Sequence, residues 1–360
     1  MGNSQINIPL LNNTLLPVDI VLAPEWWHVH GGIDFDRDFF FHPARRLEEE
    51  QKMERILHER WGQYGLGSSH REQRPEIGAV HLAAGYIISE MCGCEVKYEE
   101  AHPPKVVCAG ESKLEVDPEK AFSSTVFKDF HHLLEQLKNR HGRVLGDINW
   151  GGILNVALDL RGQELFLDMM TQPEAIQQGF QSIGAVIERF VTLVQQETGS
   201  SSISVNRNVR HLEQPVFLHS ECSHTMISEM DYEQFLMPFD IRWSKQHRPF
   251  GIHYCGNDPH RYANAFSKLP HLDFLDVGWG GDVAALRKYL PDTFLNIRLS
   301  PVEIVGQGES EIQDNITRLV AASGNPWLTG VCCINMDDQV GDDKISLIFE
   351  TVEELRKQYQ

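Results

Sequence analysis

The apolar positions of the chain follow two rhythms. Over the second half, short runs rich in β-branched and aromatic residues alternate with longer segments whose apolar residues recur every three or four positions. The short runs predict strands at 143–149, 202–206, 215–219, 250–255, 273–277, 293–298 and 327–333. The longer segments predict helices between them. One starts at Pro173 and carries Ile176, Phe180, Ile183, Ile187, Phe190 and Val194 on one face. Another opens at Ser228, with Asp231 three residues on as a capping box, and carries Phe235, Phe239 and Trp243; Pro238 is placed to kink it. Further helices are expected near 259–268, at 282–290 with Asp282 as N-cap, and at 310–322 with Ser310 as N-cap and Gly324 past its end. The last presents Ile345, Ile348, Phe349, Val352 and Leu355.

Strand and helix in alternation with short turns mean parallel βα units. About seven such units, with no Gly-rich phosphate loop of either common type, point to an α/β chain folded as a (β/α)8 TIM barrel rather than an open sheet. Residues 1–100 are less regular. They hold a helix near 44–61, with Met53, Leu57 and Trp61 at i, i+4 spacing, and read as an N-terminal helical extension with the first barrel elements, covering one end of the barrel. No long linker divides the chain, so residues 1–360 are expected to form a single domain.

Charge narrows the partners. The 360 residues carry 32 Lys and Arg against 51 Asp and Glu, a formal net charge of −19, and contain no run of basic residues to neutralise phosphates. Nucleic acid is therefore not expected as a partner. No stretch approaches the roughly 18 apolar residues that span a bilayer, so no membrane association is expected. The polar first residues lack the order of an export signal. Seven cysteines, an odd number, then read as reduced thiols of a cytoplasmic protein. Cys92, Cys94, Cys108 and Cys222 are taken as small buried apolar residues.

The remaining thiols fall where barrel chemistry takes place, at the C-terminal ends of strands. His253 and Cys255 are two residues apart and project to the same side, with Gly256, Asn257 and Asp258 as the following turn. Cys332 and Cys333 end the last predicted strand; in a regular strand only one of them faces inward. An imidazole with two thiolates suits zinc, and three protein ligands leave a fourth position open for water or substrate.

The stretch Gly251-Ile-His-Tyr-Cys-Gly-Asn257, followed by Gly330-Val-Cys-Cys-Ile-Asn335, resembles the uroporphyrinogen decarboxylase superfamily, and within it the zinc-dependent methylcorrinoid methyltransferases, which include methylcobamide:coenzyme M methyltransferases. Residues 146–152, 160–164, 172–174 and the Ser228–Pro238 region are similar to that family's central motifs. The resemblance covers residues 100–360 well and the N-terminal part loosely. It implies a (β/α)8 barrel with an N-terminal helical extension. It also implies zinc on His253, Cys255 and, by position, Cys332, with Cys333 as the fallback. The implied activity moves a methyl group between a corrinoid (cobalamin) protein and a thiol or another small acceptor or donor. The cobalt-binding D-x-H-x-x-G signature is absent, so the corrinoid is expected on a partner protein.

Two alternatives follow from the same resemblance: a tetrapyrrole decarboxylase and a non-catalytic tetrapyrrole- or corrinoid-binding barrel. The arginine-rich motif of the decarboxylases has no counterpart in Pro24-Glu-Trp-Trp-His-Val-His-Gly31. Beyond the metal ligands, Glu221, just past a predicted strand, and Asp147 and Asn149, at the end of another, are the catalytic candidates. Glu221 is placed to hold the metal in the absence of substrate or to hydrogen-bond His253, against the plainer reading of a solvated loop carboxylate. For Asp147 and Asn149, substrate contact competes with helix capping. His28 and His30, beside Trp26 and Trp27, are weighed as site-lining residues against an amphipathic surface turn, while His131 and His132 read as surface or packing residues.

Overall fold

In the computed structural model, residues 14–69, 76–78, 85–199 and 216–360 are described; the side chains of residues 76–78 and of Asp147 lie outside that description. The strands are β1 Val18–Leu22, β2 Glu76–Gly78, β3 Glu95–Glu99, β4 His102–Val107, β5 Leu145–Asp147, β6 Phe217–Ser220, β7 Phe250–His253, β8 Phe274–Val277, β9 Phe294–Leu299 and β10 Thr329–Met336. Six of them form one curled parallel sheet in the order β1-β10-β9-β8-β7-β6. β2 and β5 form a separate parallel pair, and β3 and β4 an antiparallel hairpin.

The architecture is α/β, as expected, but the sheet is not a closed barrel. Among the described residues no ladder joins the β2–β5 pair to the six-stranded sheet. Both strands of that pair are three residues long and each contains a glycine, Gly78 or Gly146, which has no side chain to pack and weakens a strand. The strand expected at 202–206 lies outside the described residues. The first hundred residues are not purely helical additions: Val18-Asp-Ile-Val-Leu22 is the edge strand of the main sheet, paired along its length with β10.

Local signals account for most element ends. Pro173 is the first residue of the helix Pro173–Thr198, where its missing N–H costs nothing. Asp282 caps Val283–Tyr289 by accepting from Ala285 N at 2.9 Å, and Ser228 with Asp231 makes the capping box. Gly324 closes Glu309–Ser323 in the left-handed region, φ 66°. Ser310 does not cap that helix: it begins one residue earlier, with Gly308 at the cap and the Glu311 carboxylate accepting from Gly308 N at 2.8 Å. Near 259–268 only a turn of 3₁₀ helix and the four residues Ala263–Phe266 are helical. Pro238 follows a widened π turn, Tyr232–Leu236, that absorbs its missing donor. No described helix is long and apolar enough to cross a membrane.

The two faces of the sheet differ in chemistry. Outward residues such as Ile20, Leu22, Ile252, Leu275, Leu295, Ile297, Leu299, Val331 and Cys333 join the main core beneath the helices. Full burial of each large apolar side chain is worth about 1.5–3 kcal/mol, which holds the helical layer on the sheet. Alternate residues point to the inner face. There Val21, Cys332 and Ile334 form their own small cluster. Asp19, His253, Asp276, Asn296 and Arg298 are buried polar residues at the alternating inward positions. A row of buried polar groups inside a sheet is costly unless they are partnered, and His253, Asp276 and Asn296 are hydrogen-bonded in series.

Candidate metal centre

Three side chains converge at the ends of β6 and β7. Cys222, His253 and Cys255 bring their ligand atoms within 4.8 Å of one another. His253 Nε2 stands 2.8 Å from Cys255 Sγ, and Cys255 Sγ stands 3.0 Å from Cys222 Sγ. The sheet register explains the meeting. β6 and β7 run parallel with Ser220 opposite His253, and Cys222, at the start of the 3₁₀ turn Cys222–Met226, meets Cys255 at the same offset of 33 residues, two positions beyond the ladder. Residues with matching positions on neighbouring parallel strands lie side by side.

The other nitrogen of His253 is fixed from behind. Nδ1 hydrogen-bonds to Asp276 Oδ2, one strand over on β8, in a contact between two fully buried groups. This carboxylate–histidine arrangement orients the ring and leaves Nε2 to face the sulfurs, as it does behind metal-bound imidazoles. Asp276 Oδ1 in turn accepts from Asn296 Nδ2 at 3.0 Å. Arg298 lies on the inner face of β9, with Nη1 donating to Cys255 Sγ at 3.4 Å.

Electrostatics follow the geometry. The Cys255 thiol is held well below its ordinary pKa by the hydrogen bond from Cys222; burial opposes this, while His253 and Arg298 reinforce it. Cys222 is pushed well up, first by giving that hydrogen bond and then by burial. Burial pulls His253 down, but Cys255 and Asp276 outweigh it and raise it to about 10. This setting favours a protonated imidazole beside an anionic sulfur. A cation entering between Nε2 and the sulfurs would take that proton's place, which is how metal binding normally releases protons.

The sequence-predicted residues fall at different distances from this point. His253 and Cys255 are in it. Cys332 faces inward and Cys333 outward, so alternation selects Cys332 as the inner thiol; Cys333 Sγ contacts Leu299 O at 3.7 Å within the helix-side core. Cys332 is fully buried, 3.3 Å from Asn296 Nδ2 and 3.9 Å from Asp276 Oδ1. It meets the carboxylate that holds Nδ1, not the Nε2 edge on which the other two thiols converge.

Glu221 is fully buried and occupied. Its oxygens accept from Leu154 N (2.8 Å) and Asn155 N (3.0 Å), in the first turn of the helix Ile153–Arg161, and Oε2 lies 3.4 Å from His219 Nε2. A carboxylate there complements the positive helix end. Gly152 makes room for it, since a Cβ at 152 would stand 2.2 Å from Oε2. Asn149 accepts from Gly151 N at 3.3 Å and shapes the same turn. Asp147 ends β5, and its side chain lies outside the description. His28 pairs with Asp34 at 2.9 Å, and His30 Nε2 lies 3.4 Å from Asp338 O. His131 is half-buried and His132 exposed, both on the helix Thr125–His141.

Sequence reasoning passed over four site residues. Cys222 was assigned to packing, although it stands two residues past an inward strand position, as Cys255 does relative to His253. Asp276, Asn296 and Arg298 interrupt otherwise apolar strands at alternating positions, and that interruption is the signal they carry.

No family model and no curated protein sequence matches the chain. Among solved structures its fold is similar to that of a methyltransferase from Methanosarcina mazei, with a TM-score of 0.67 and 12% identity over 95% of this chain and 94% of that one. It is also similar to a B12-independent methionine synthase from Shewanella sp. W3-18-1 in complex with selenomethionine, with a TM-score of 0.53 and 8% identity over 96% and 99% of the two chains. At these identities the likeness is one of fold, and it spans nearly the whole of each chain.

Proposed function

We propose that the protein is a zinc-dependent methyltransferase of the uroporphyrinogen decarboxylase superfamily type, moving a methyl group between a corrinoid carried by a partner protein and a small thiol or other small acceptor or donor. The observation that carries this reading is the convergence of two thiols on the Nε2 edge of a buried imidazole whose Nδ1 is held by a carboxylate. Soft sulfur and imidazole donors with such a carboxylate behind suit zinc. Support from fold comes from two methyl-transfer enzymes, one described as a methyltransferase and the other as a methionine synthase.

In this reading His253 and Cys255 hold the metal together with a further thiolate: the motif designates Cys332, and the convergence on the Nε2 edge offers Cys222. Bound zinc would supply a Lewis acid that keeps a substrate thiol deprotonated at neutral pH. The chain's own residues do the rest. Asp276 fixes the imidazole tautomer and ring plane. Arg298 keeps the thiolate of Cys255 charged and in place. Glu221 positions the end of β6 by tying it to the helix Ile153–Arg161, and Asn149 shapes the turn that precedes that helix. Asp147, at the end of β5, would contact the substrate.

The test is elemental mass spectrometry of the wild type and Cys255→Ala, with methylcobalamin demethylation followed by absorbance against a panel of small thiols and amines. About one zinc per wild-type chain, lost in the variant together with demethylation, is the expected result. A wild type that takes up no zinc on addition overturns it.

A further inference from the structure

We infer that Cys222 and Cys255 are a redox modification site: in the metal-free chain they form a reversible disulfide that closes the centre. The disulfide itself stands on the geometry of the two thiols; only its competition with metal rests on the function proposed above.

The two sulfurs are 3.0 Å apart, within reach of a bond of about 2.05 Å through small side-chain rotations. The chain segments that carry them leave adjacent parallel strands, β6 and β7, within two residues of the last paired positions, Ser220 and His253. Both residues are half-buried, whereas Cys332 and Cys333 are fully buried. The pair is also asymmetric: His253 Nε2 and Arg298 Nη1, two groups that favour an anionic sulfur, both contact Cys255 Sγ. A nucleophilic sulfur with a second thiol at contact distance is the arrangement that turns a first oxidation into a disulfide rather than into over-oxidation.

The oxidant is hydrogen peroxide. Cys255 sulfur attacks one peroxide oxygen, the O–O bond breaks, and the leaving hydroxide takes a proton to become water. Cys222 sulfur then displaces hydroxide from the resulting sulfenic acid, giving up its own proton, and a second water leaves. Two electrons pass from the sulfurs to the peroxide. A small dithiol reverses the change by exchange. Because a disulfide sulfur carries no charge for a metal, oxidation takes Cys255, a ligand of the proposed centre, away from zinc.

The experiment uses the full chain, stripped with a chelator and compared with chain reloaded with zinc. Each is treated with hydrogen peroxide, then unfolded for thiol titration and peptide mass mapping. In the metal-free chain, two of the seven thiols should disappear, a peptide linking Cys222 to Cys255 should appear, and dithiothreitol should restore both. Zinc-loaded chain should keep its thiols, and Cys222→Ser should give no linked peptide. Loss of Cys255 to sulfinic acid without a link, a link elsewhere, or the same link formed equally fast with zinc bound overturns the inference. Zinc uptake with no link in the stripped chain sinks this inference and leaves the proposed function standing. A link in a chain that never takes up zinc keeps the disulfide and removes the metal reading.

Discussion

Asp276 on β8 takes the Nδ1 edge of His253 on β7, so that the imidazole presents only Nε2 to the two thiols beyond it. Both groups are fully buried, and Asp276 is itself held by Asn296. The ring therefore enters the centre with its orientation already chosen. Asp276→Asn keeps the shape but removes the charge behind the ring. Zinc affinity should fall about 10- to 100-fold, the usual cost of losing such a partner, with the unfolding midpoint much less affected. Competition against a chromophoric zinc chelator measures it; unchanged affinity would show that Asp276 plays no part in metal binding.

Cys222→Ala and Cys332→Ala separate two candidates for the second thiolate. Cys222 shares the Nε2 side with Cys255, whereas Cys332 contacts Asp276 and Asn296. A ligand of the resting centre should lower zinc affinity by orders of magnitude on removal, and the other replacement should cost stability by packing alone. Cys332 has no exposed surface, so its truncation should shift the denaturant midpoint in either case.

Glu221 should matter to stability before chemistry. It is buried, accepts from two helix N–H groups and faces His219. Glu221→Ala leaves those donors unpaired and should cost about 3–5 kcal/mol, the range seen when one partner of a buried pair is removed. Gly152→Ala pushes a methyl against the same carboxylate and should cost about 1–3 kcal/mol. Urea midpoints of both variants check this. A Glu221→Ala chain as stable as wild type but inactive would place the carboxylate on substrate instead.

His219 gives the fold a pH dependence on the alkaline side. Burial lowers its pKa, but Asp240 at 2.7 Å and Glu221 outweigh that and raise it to about 9, from about 6.5 in the unfolded chain. The folded state thus binds the proton more tightly. Its contribution is fully present below pH 6.5 or so, declines as pH rises, and is lost above about 9. The span corresponds to about 3 kcal/mol. Subtracting the stability of His219→Gln from that of wild type at pH 6, 7.5 and 9 isolates it; a difference that is flat or grows with pH contradicts the assignment.

Much of this was legible along the chain because it depends on neighbours in sequence. The apolar face from Ile176 to Val194, the Ser228–Asp231 box, the Asp282 cap and the Gly324 stop are local devices, and each lies where its pattern placed it. The H-x-C spacing likewise guaranteed that His253 and Cys255 share a side, since side chains alternate along a strand. β1 was less legible: five residues of mixed character, isolated from other strands, carry too little period to be told from a turn.

The sequence by itself determined the parallel βα alternation, several helix ends and the pairing of His253 with Cys255, because spacing of three, four or two residues converts directly into a shared face. Only the tertiary structure decided which strands are neighbours. Parallel strands meet through crossovers of many residues, so register between them is invisible in any short window. That register put Cys222 against Cys255, Asp276 behind His253 and Cys332 on the inner face, and it left the sheet as six strands with a separate pair.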